Sequence, residues 1–259
     1  MFMRGQSSAV GAARCYTLAP PDRLIMTTIS ANLQAVRARI AAAAEACGRN
    51  PAGIALLAVS KTWPAEDVLA AGRAGQCAFG ENYVQEGVAK ATALAAEGYE
   101  WHFIGPLQSN KTRSVAETFA WVHSIDRLKI AERLSEQRPE HLPPLEVCVQ
   151  VNVSGEASKS GVTPAELSAL AHAVAALPRL RLRGLMAIPE PVDAVDAFAA
   201  QRAPFRRLRE LQSALCAEGL VLDTLSMGMS HDLEAAVAEG ATIVRVGTAI
   251  FGARSRPGA

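Results

Sequence analysis

Eight short apolar segments alternate with helix-forming segments along the 259-residue chain. This alternation is typical of parallel strands joined by crossover helices. The length also matches the ~250 residues of a typical α/β barrel. No linker and no shift in composition divides the chain. The sequence therefore predicts an α/β fold, a single (β/α)8 TIM barrel with an extra N-terminal helix. A doubly wound open sheet is the alternative.

The extra helix is predicted at 29–47, where alanine is abundant, Ser30 is a plausible N-cap and Gly48 closes the segment. The strands that follow are apolar runs that end in polar residues. They are predicted at 54–61, 77–82, 101–105, 121–126, 145–153, 180–188, 224–229 and 241–247. Helices are predicted after them at 64–74, 83–96, 110–120, 127–137, 163–176, 192–218 and 232–239. In the 163–176 helix, Thr163 is the expected N-cap and Pro164 the first helical residue.

Residues 1–26 differ in composition from the rest of the chain. They contain arginines but no acidic residue before Asp22, as transit peptides do. An upstream start codon, with Met26 as the natural start, is the interpretation that we prefer. We therefore expect 1–25 to be a disordered extension or a misassigned start, and 26–259 to form the barrel.

Composition argues against several classes of protein. The net charge of +1 leaves no electrostatic footprint for nucleic acid or an anionic membrane. No apolar run approaches the ~20 residues of a membrane helix. The basic cluster Arg202, Arg206, Arg207 and Arg209 is expected to be a solvated helix face.

The cysteines and histidines carry no recognisable metal or disulfide pattern. Five cysteines are scattered without a C-x-x-C pair, which argues against a disulfide framework or a zinc site. The five histidines show no ligand spacing. We therefore expect no metal and a cytoplasmic location, because a reducing compartment suits unpaired thiols.

The active site of such a barrel lies at the carboxyl ends of its strands. The loops after the last two strands often bind phosphate through backbone N–H groups. The sequence 226–230, S-M-G-M-S, offers hydroxyls and a glycine there, and Gly247-Thr248 does the same one strand later. Ordinary helix caps would use the same residue types, so two caps without a ligand remain the alternative.

Lys61 ends the first predicted strand, beside the last strand of a closed barrel. Desolvation favours the neutral amine of a lysine, which is the form that condenses with an aldehyde. A ligand with one aldehyde and one phosphate would reach both sites, and pyridoxal 5′-phosphate (PLP) has both groups. The alternative role for Lys61 is a salt bridge with Glu81 or Asp126.

Arg245 lies inside an apolar strand, in phase with Ile243 and Gly247. A ligand ring in the barrel mouth would place this guanidinium near a pyridine nitrogen. Arginine does not release its proton, so that nitrogen would stay unprotonated and the ring would be a weaker electron sink. An Arg–Glu pair inside the barrel is the alternative.

Seven segments together resemble the pyridoxal phosphate homeostasis proteins, over about residues 28–254. They are A-V-S-K-T at 58–62, F-G-E-N-Y at 79–83, W-H-F-I-G-P-L-Q-S-N-K at 101–111, V-H-S-I-D at 122–126, V-N-V-S-G-E-A-S-K-S-G at 151–161, S-M-G-M-S at 226–230 and V-R-V-G-T-A-I-F-G at 244–252. The resemblance implies a barrel like that of alanine racemase.

The resemblance also implies the roles of individual residues. It implies a covalent imine between PLP and Lys61, with Arg245 beside the pyridine nitrogen and Asn82 near the ring. It implies phosphate contacts from Ser230, Gly247 and Thr248, in a loop shaped by Met227 and Gly228. His231 departs from the family pattern, where an acidic residue is expected, and could add a cation near the phosphate.

The resemblance implies a non-enzymatic carrier and regulator of free PLP. Racemisation needs an acid/base group on each face of the α-carbon. Alanine racemase takes its second group, a tyrosine, from an extra β domain. This chain ends soon after its eighth strand. Of the tyrosines in this chain, only Tyr83 lies near a strand end. We expect a monomer, with PLP-dependent apoenzymes as candidate recipients. A low-efficiency racemase and a Schiff-base aldolase acting on a sugar phosphate are the alternatives.

Overall fold

Eight parallel strands form one closed barrel in chain order. The structure is a computed structural model that describes residues 20–155, 160–190 and 197–253. The first strand pairs with the eighth, with Leu57 opposite Arg245. The predicted barrel is therefore confirmed, and the open sheet is wrong. The strands are β1 (Ala55–Val59), β2 (Ala78–Glu81), β3 (Glu100–Phe103), β4 (Trp121–Ile125), β5 (Leu145–Gln150), β6 (Leu180–Met186), β7 (Thr224–Ser226) and β8 (Ile243–Val246).

Helices surround the barrel. They are α1 (Pro20–Ala46), α2 (Ala65–Arg73), α3 (Val84–Ala93), α4 (Thr112–Thr118), α5 (Leu128–Gln137), α6 (Leu167–Ala175), α7 (Ala197–Ala217), α8 (Leu233–Ala238) and α9 (Thr248–Phe251). Helix α1 is the predicted extra helix, and it buries Leu33, Val36, Ile40 and Ala44 at helical spacing against α2, α8 and α9. Among the described helices, none combines the length and the apolar character needed to cross a membrane.

The start of α1 differs from the prediction, although its end does not. Ser30 is not an N-cap, because the helix begins at Pro20 and Ser30 lies inside it. Proline suits the first turn of a helix, where its missing N–H costs no hydrogen bond. Gly48 ends the segment with a φ of +68°. Of the predicted extension 1–25, residues 1–19 lie outside the described residues and the remainder is part of α1.

Helix α6 also begins later than expected. Thr163 and Glu166 exchange hydrogen bonds: the backbone N–H of Thr163 donates to Glu166 Oε2 at 3.3 Å, and the backbone N–H of Glu166 donates to Thr163 Oγ1 at 3.3 Å. These are the contacts of a capping box. The residues between them form a turn, however, and the helix begins only at Leu167. The predicted helix 192–218 corresponds to α7, apart from residues 192–196, which lie outside the described residues.

The arginines of α7 are 34–53% exposed, as predicted for a solvated helix face, but three of them also bind a buried carboxylate. Glu239 is fully buried and binds Arg202 at 2.6 Å, Arg206 at 3.2 Å and Arg209 at 3.1 Å. Arg207 alone pairs elsewhere, with Glu210 at 3.7 Å. The end of α8 places Glu239 under α7, a tertiary contact that helical periodicity does not reveal.

Side chains inside the barrel come from alternate positions of each strand. An apolar cluster fills the interior and contains Leu57, Val59, Ile104, Trp121, Cys148, Met186 and Ile243. A larger cluster lies between the strands and the helices. Because strand side chains alternate, Lys61 continues the inward series of Leu57 and Val59. Arg245 continues that of Ile243 on the neighbouring strand.

Candidate functional site at the barrel mouth

A cavity of about 200 Å³ opens where the strands end. Six of the eight residues predicted to bind the ligand line it: Lys61, Asn82, Ser230, Arg245, Gly247 and Thr248. Met227 and Gly228 lie behind this lining and are buried. The sequence analysis did not identify the apolar part of the wall, to which Val59, Trp63, Ile104, Ile188 and Met229 contribute.

Lys61 lies two residues after the end of β1 and is half-buried. Both carboxylates considered as its salt-bridge partners are engaged with other cations. Glu81 Oε1 lies 2.8 Å from Lys90 Nζ, and Asp126 Oδ1 lies 2.7 Å from Arg127 Nη1. Lys61 itself lines the cavity.

A buried ion network fixes the strand just before Lys61. The Lys90 ammonium donates to the carbonyl of Ser60 at 2.7 Å, to Glu81 Oε1 at 2.8 Å and to Glu86 Oε1 at 2.7 Å. The Ser60 hydroxyl also donates to Glu81, at 2.7 Å. Lys90 was not predicted from the sequence. Its spacing with Val84 and Gly87, which puts all three on the buried face of α3, was the available signal.

The residue after Lys61 has an unusual backbone conformation. Thr62 has a φ of +68°, which is a sparsely populated region for a β-branched residue and costs about 1–3 kcal/mol. Its N–H donates to Glu86 Oε1 at 2.5 Å. The residues on both sides of Lys61 are therefore tied to the network around Lys90, which holds the strained turn in place.

The loop after β7 needs glycine at position 228. Gly228 has a φ of +92°, and a Cβ there would lie 2.5 Å from Cβ of Ala236. Its carbonyl accepts from the backbone N–H of Arg245 at 2.9 Å. The carbonyl of Ser230 accepts from Arg39 of α1 at 3.0 Å, so the extra helix supports this loop.

The loop after β8 brings backbone N–H groups to the same cavity. Gly247 packs against β1, and a Cβ there would lie 3.0 Å from the carbonyl oxygen of Val59. Thr248 opens α9, and the first N–H groups of a helix have no acceptor within it. The hydroxyls of Ser230 and Thr248 thus join helix-start N–H groups on one side of the cavity.

Arg245 provides a fixed positive charge in the cavity wall. Its side chain is buried, donating from Nη1 to Ser226 Oγ at 2.8 Å and from Nη2 to the carbonyl of Ala187 at 2.9 Å. Burial lowers the pKa of Arg245 to about 10, while the nearby Asp232 carboxylate acts to raise it, so the guanidinium stays charged at neutral pH. Within the described residues, its hydrogen bonds go to a hydroxyl and a carbonyl rather than to the glutamate considered as its partner.

Asn82 provides an amide without a hydrogen-bond partner for its oxygen. Its Oδ1 is buried and accepts no hydrogen bond from the described residues. Gly105 allows this close packing, because a Cβ there would lie 2.2 Å from the carbonyl oxygen of Asn82. An unpaired buried amide group is costly, and a polar ligand would satisfy it.

His231 is exposed on the cavity rim, with Nε2 3.3 Å from Asp232 Oδ2. Asp232 follows His231 directly, so the acidic side chain expected at position 231 is present at position 232. In the part of the chain that the structure describes, no group of three or more His, Cys, Asp or Glu side chains could hold a metal ion.

A lysine just after β1 that shares a cavity with glycine- and hydroxyl-containing loops after β7 and β8 defines a barrel of the alanine racemase type. The family model described as "Alanine racemase, N-terminal domain" matches residues 31–255. Solved structures agree on the fold: alanine racemase from Corynebacterium glutamicum superposes with a TM-score of 0.64 at 20% identity, covering 88% of this chain and 62% of its own.

The chain belongs, within that family, to the pyridoxal phosphate homeostasis proteins. The protein of that name from Pseudomonas aeruginosa is 65% identical, over 88% of this chain and 97% of the relative. The one from Escherichia coli is 57% identical, over 88% and 98%. PipY of Synechococcus elongatus, solved with PLP bound, superposes with a TM-score of 0.74 at 38% identity, over 86% of this chain and all of PipY.

Proposed function

We propose that this chain binds PLP in the barrel-mouth cavity, holds it as an imine on Lys61, and takes part in PLP homeostasis without robust turnover. One observation carries the proposal. Six residues predicted from separate motifs line a single cavity, which brings Lys61 together with the β7 and β8 loops. The relatives named for PLP homeostasis, and the PLP-bound PipY structure, support it further.

The chemistry of the lining suits the three polar parts of PLP. The loop hydroxyls and helix-start N–H groups suit a phosphate. Arg245 suits an unprotonated pyridine nitrogen, because a guanidinium only donates. The amide of Asn82 suits the oxygen on the ring. The aldehyde would then face Lys61, whose amine can displace its oxygen as water.

The absence of strong turnover follows, in this proposal, from two features of the site. A ring nitrogen that is not protonated makes PLP a weaker electron sink. Racemisation also needs a second acid/base group opposite the lysine. Of the tyrosines that the structure describes, Tyr83 is 54% exposed outside the cavity lining, and Tyr99 packs against Phe79.

We further propose that the chain acts as a monomer in the cytoplasm and supplies PLP-dependent apoenzymes. One chain provides the cavity lining described here, which supports the monomer. Cys47, Cys77, Cys148 and Cys216 are free thiols, which suits a reducing compartment. An imine is reversible, so a bound aldehyde can be released again to another lysine.

Borohydride trapping tests the proposal directly. The protein is incubated with PLP, reduced with borohydride and digested. Mass spectrometry then gives the mass of the peptide that contains Lys61. We expect a pyridoxyl phosphate adduct on Lys61. A sugar phosphate adduct after incubation with a triose phosphate, with none after PLP, would instead support the Schiff-base aldolase.

A further inference from the structure

Five polar side chains form a continuous hydrogen-bonded chain through the barrel interior. Glu100 Oε1 lies 2.8 Å from His102 Nε2, and His102 Nδ1 lies 2.9 Å from His123 Nε2. His123 Nδ1 lies 2.7 Å from Ser226 Oγ, which lies 2.8 Å from Arg245 Nη1. This series of hydrogen bonds thus runs from the start of β3, at the opposite rim of the barrel, to the candidate PLP cavity.

Glu100 is the exposed end of this series of side chains, whereas Arg245 at the other end is buried. His102, His123 and Ser226 are at most 3% exposed. The side chain of Glu100 is 52% exposed and borders a second cavity, of about 320 Å³, at the rim where the strands begin. A solvent-facing carboxylate is therefore linked through buried side chains to the cation beside the proposed cofactor.

With both imidazoles neutral, the end groups fix the direction of every hydrogen bond between them. A guanidinium can only donate and an ionised carboxylate can only accept. Ser226 therefore accepts from Arg245 and donates its own proton to Nδ1 of His123. His123 then donates from Nε2 to Nδ1 of His102, and His102 donates from Nε2 to Glu100. Both imidazoles then carry their proton on Nε2.

The electrostatics agree with this assignment. Burial lowers the pKa of His102 despite the opposing effect of Glu100. Burial, followed by the effects of His102 and Arg245, holds the pKa of His123 well below its usual value. The hydrogen bond from His102 lowers the pKa of Glu100. Two neutral imidazoles and an ionised carboxylate are the states that the directed chain requires.

We propose that Glu100, His102, His123 and Ser226 are positioning residues that hold the Arg245 guanidinium in its orientation toward the ring nitrogen of PLP. The proposal rests on the proposed function, because PLP supplies that nitrogen. Hydrogen bonds aligned in one direction polarise and strengthen one another. A change at Glu100 would therefore alter the acceptor that Ser226 offers to Arg245, although Glu100 lies outside the cavity.

Histidine tautomers in cofactor-free protein provide the first test. Two-bond proton–nitrogen correlation spectra of 15N-histidine protein distinguish Nε2–H, Nδ1–H and imidazolium forms. Loss of single resonances in His102→Gln and His123→Gln assigns them. We expect Nε2–H for both residues, and mixed tautomers in Glu100→Gln, because glutamine can either donate or accept. The exposed Glu97→Gln is the matched control and should resemble wild type. An Nδ1–H or imidazolium form of either histidine in wild type would overturn the proposal.

PLP titration of the same proteins provides the second test. We expect Glu100→Gln to raise the dissociation constant of PLP about three- to tenfold, with Glu97→Gln unchanged. An unchanged constant in Glu100→Gln despite altered tautomers would reject the positioning role. Wild type that takes up no PLP would reject the proposed function, and would leave the tautomer result intact as a separate finding.

Discussion

Lys90 and Glu81 form a buried ion pair, with Nζ and Oε1 2.8 Å apart and side chains that are only 7% and 0% exposed. The pair lies beside Ser60, between the end of β1 and Lys61. Burial raises the pKa of Glu81, and the hydrogen bond and charge of Lys90 partly offset that rise. The stability of this region therefore depends on keeping the two charges together.

Lys90→Met should destabilise the fold by about 3–5 kcal/mol at neutral pH, because it leaves the Glu81 carboxylate buried without its cation. Urea unfolding measures the change in the free energy of unfolding. Lys129→Met, at an exposed position, is the control. The double variant Glu81→Gln with Lys90→Met should recover part of the loss.

The effect of Lys90→Met should also depend on pH. For a carboxyl group with a raised folded pKa, stability falls as the pH rises from the unfolded to the folded value. Without Lys90 the folded pKa of Glu81 rises further, so the destabilisation should shrink as the pH is lowered. A loss that is equal at acidic and neutral pH would mean that the buried carboxylate is not its cause.

Gly228→Ala should distort the loop that the proposed phosphate site uses. The new Cβ would meet Ala236 at 2.5 Å on a backbone with a φ of +92°, at a cost of about 2–4 kcal/mol. Gly219→Ala is a matched control, because φ is +100° there and nothing lies within 4 Å. It should cost about 1 kcal/mol. Thermal unfolding and PLP titration are measured for both variants. Equal losses in Gly228→Ala and Gly219→Ala would argue against a steric role for Gly228.

Glu239→Gln should weaken the contact between α7 and α8. Burial alone would raise the pKa of Glu239, but the surrounding arginines lower it overall. Its contribution is therefore present above the unfolded pKa and is lost as the pH falls through the lowered folded value. We expect a loss of about 1–3 kcal/mol at neutral pH that disappears in acid. Glu210→Gln, which removes an exposed pair, should change stability by only about 0–0.5 kcal/mol, and urea unfolding across pH compares the two.

Incubation with single enantiomers tests the absence of turnover. Protein loaded with PLP should leave L- or D-alanine optically pure, because the described cavity lining offers no tyrosine opposite Lys61. Chiral chromatography follows the optical purity, with Lys61→Ala as the control. Racemisation in wild type that Lys61→Ala abolishes would support the racemase alternative.

Much of this architecture could be predicted from the sequence, because each strand carries its own local signal. The valine-rich run at 145–153 and the polar ends of the other strands indicated both the barrel and the rim where Lys61 and Arg245 lie. The prediction failed where a continuing helix overrides a local preference, and it was incomplete where a tertiary contact adds a partner. Ser30 lies inside α1, and three of the α7 arginines bind Glu239.

The polar interior could not be predicted from the sequence. Lys90 meets Glu81 only because α3 packs beside the end of β1 and β2. His102, His123 and Ser226 come from three different strands, and their hydrogen bonds depend on the register of a closed barrel. Strand alternation could have placed each of these side chains inward, but it gives no distance between them.

The imine on Lys61 is the central claim, and the visible absorbance spectrum tests it most directly. Wild type mixed with PLP and freed of excess ligand should be yellow, with an imine band that is absent from Lys61→Ala treated in the same way. Borohydride should remove the band. Wild type that shows no imine band after PLP is added would contradict the account. So would a Lys61→Ala protein whose imine band has the same intensity as that of wild type.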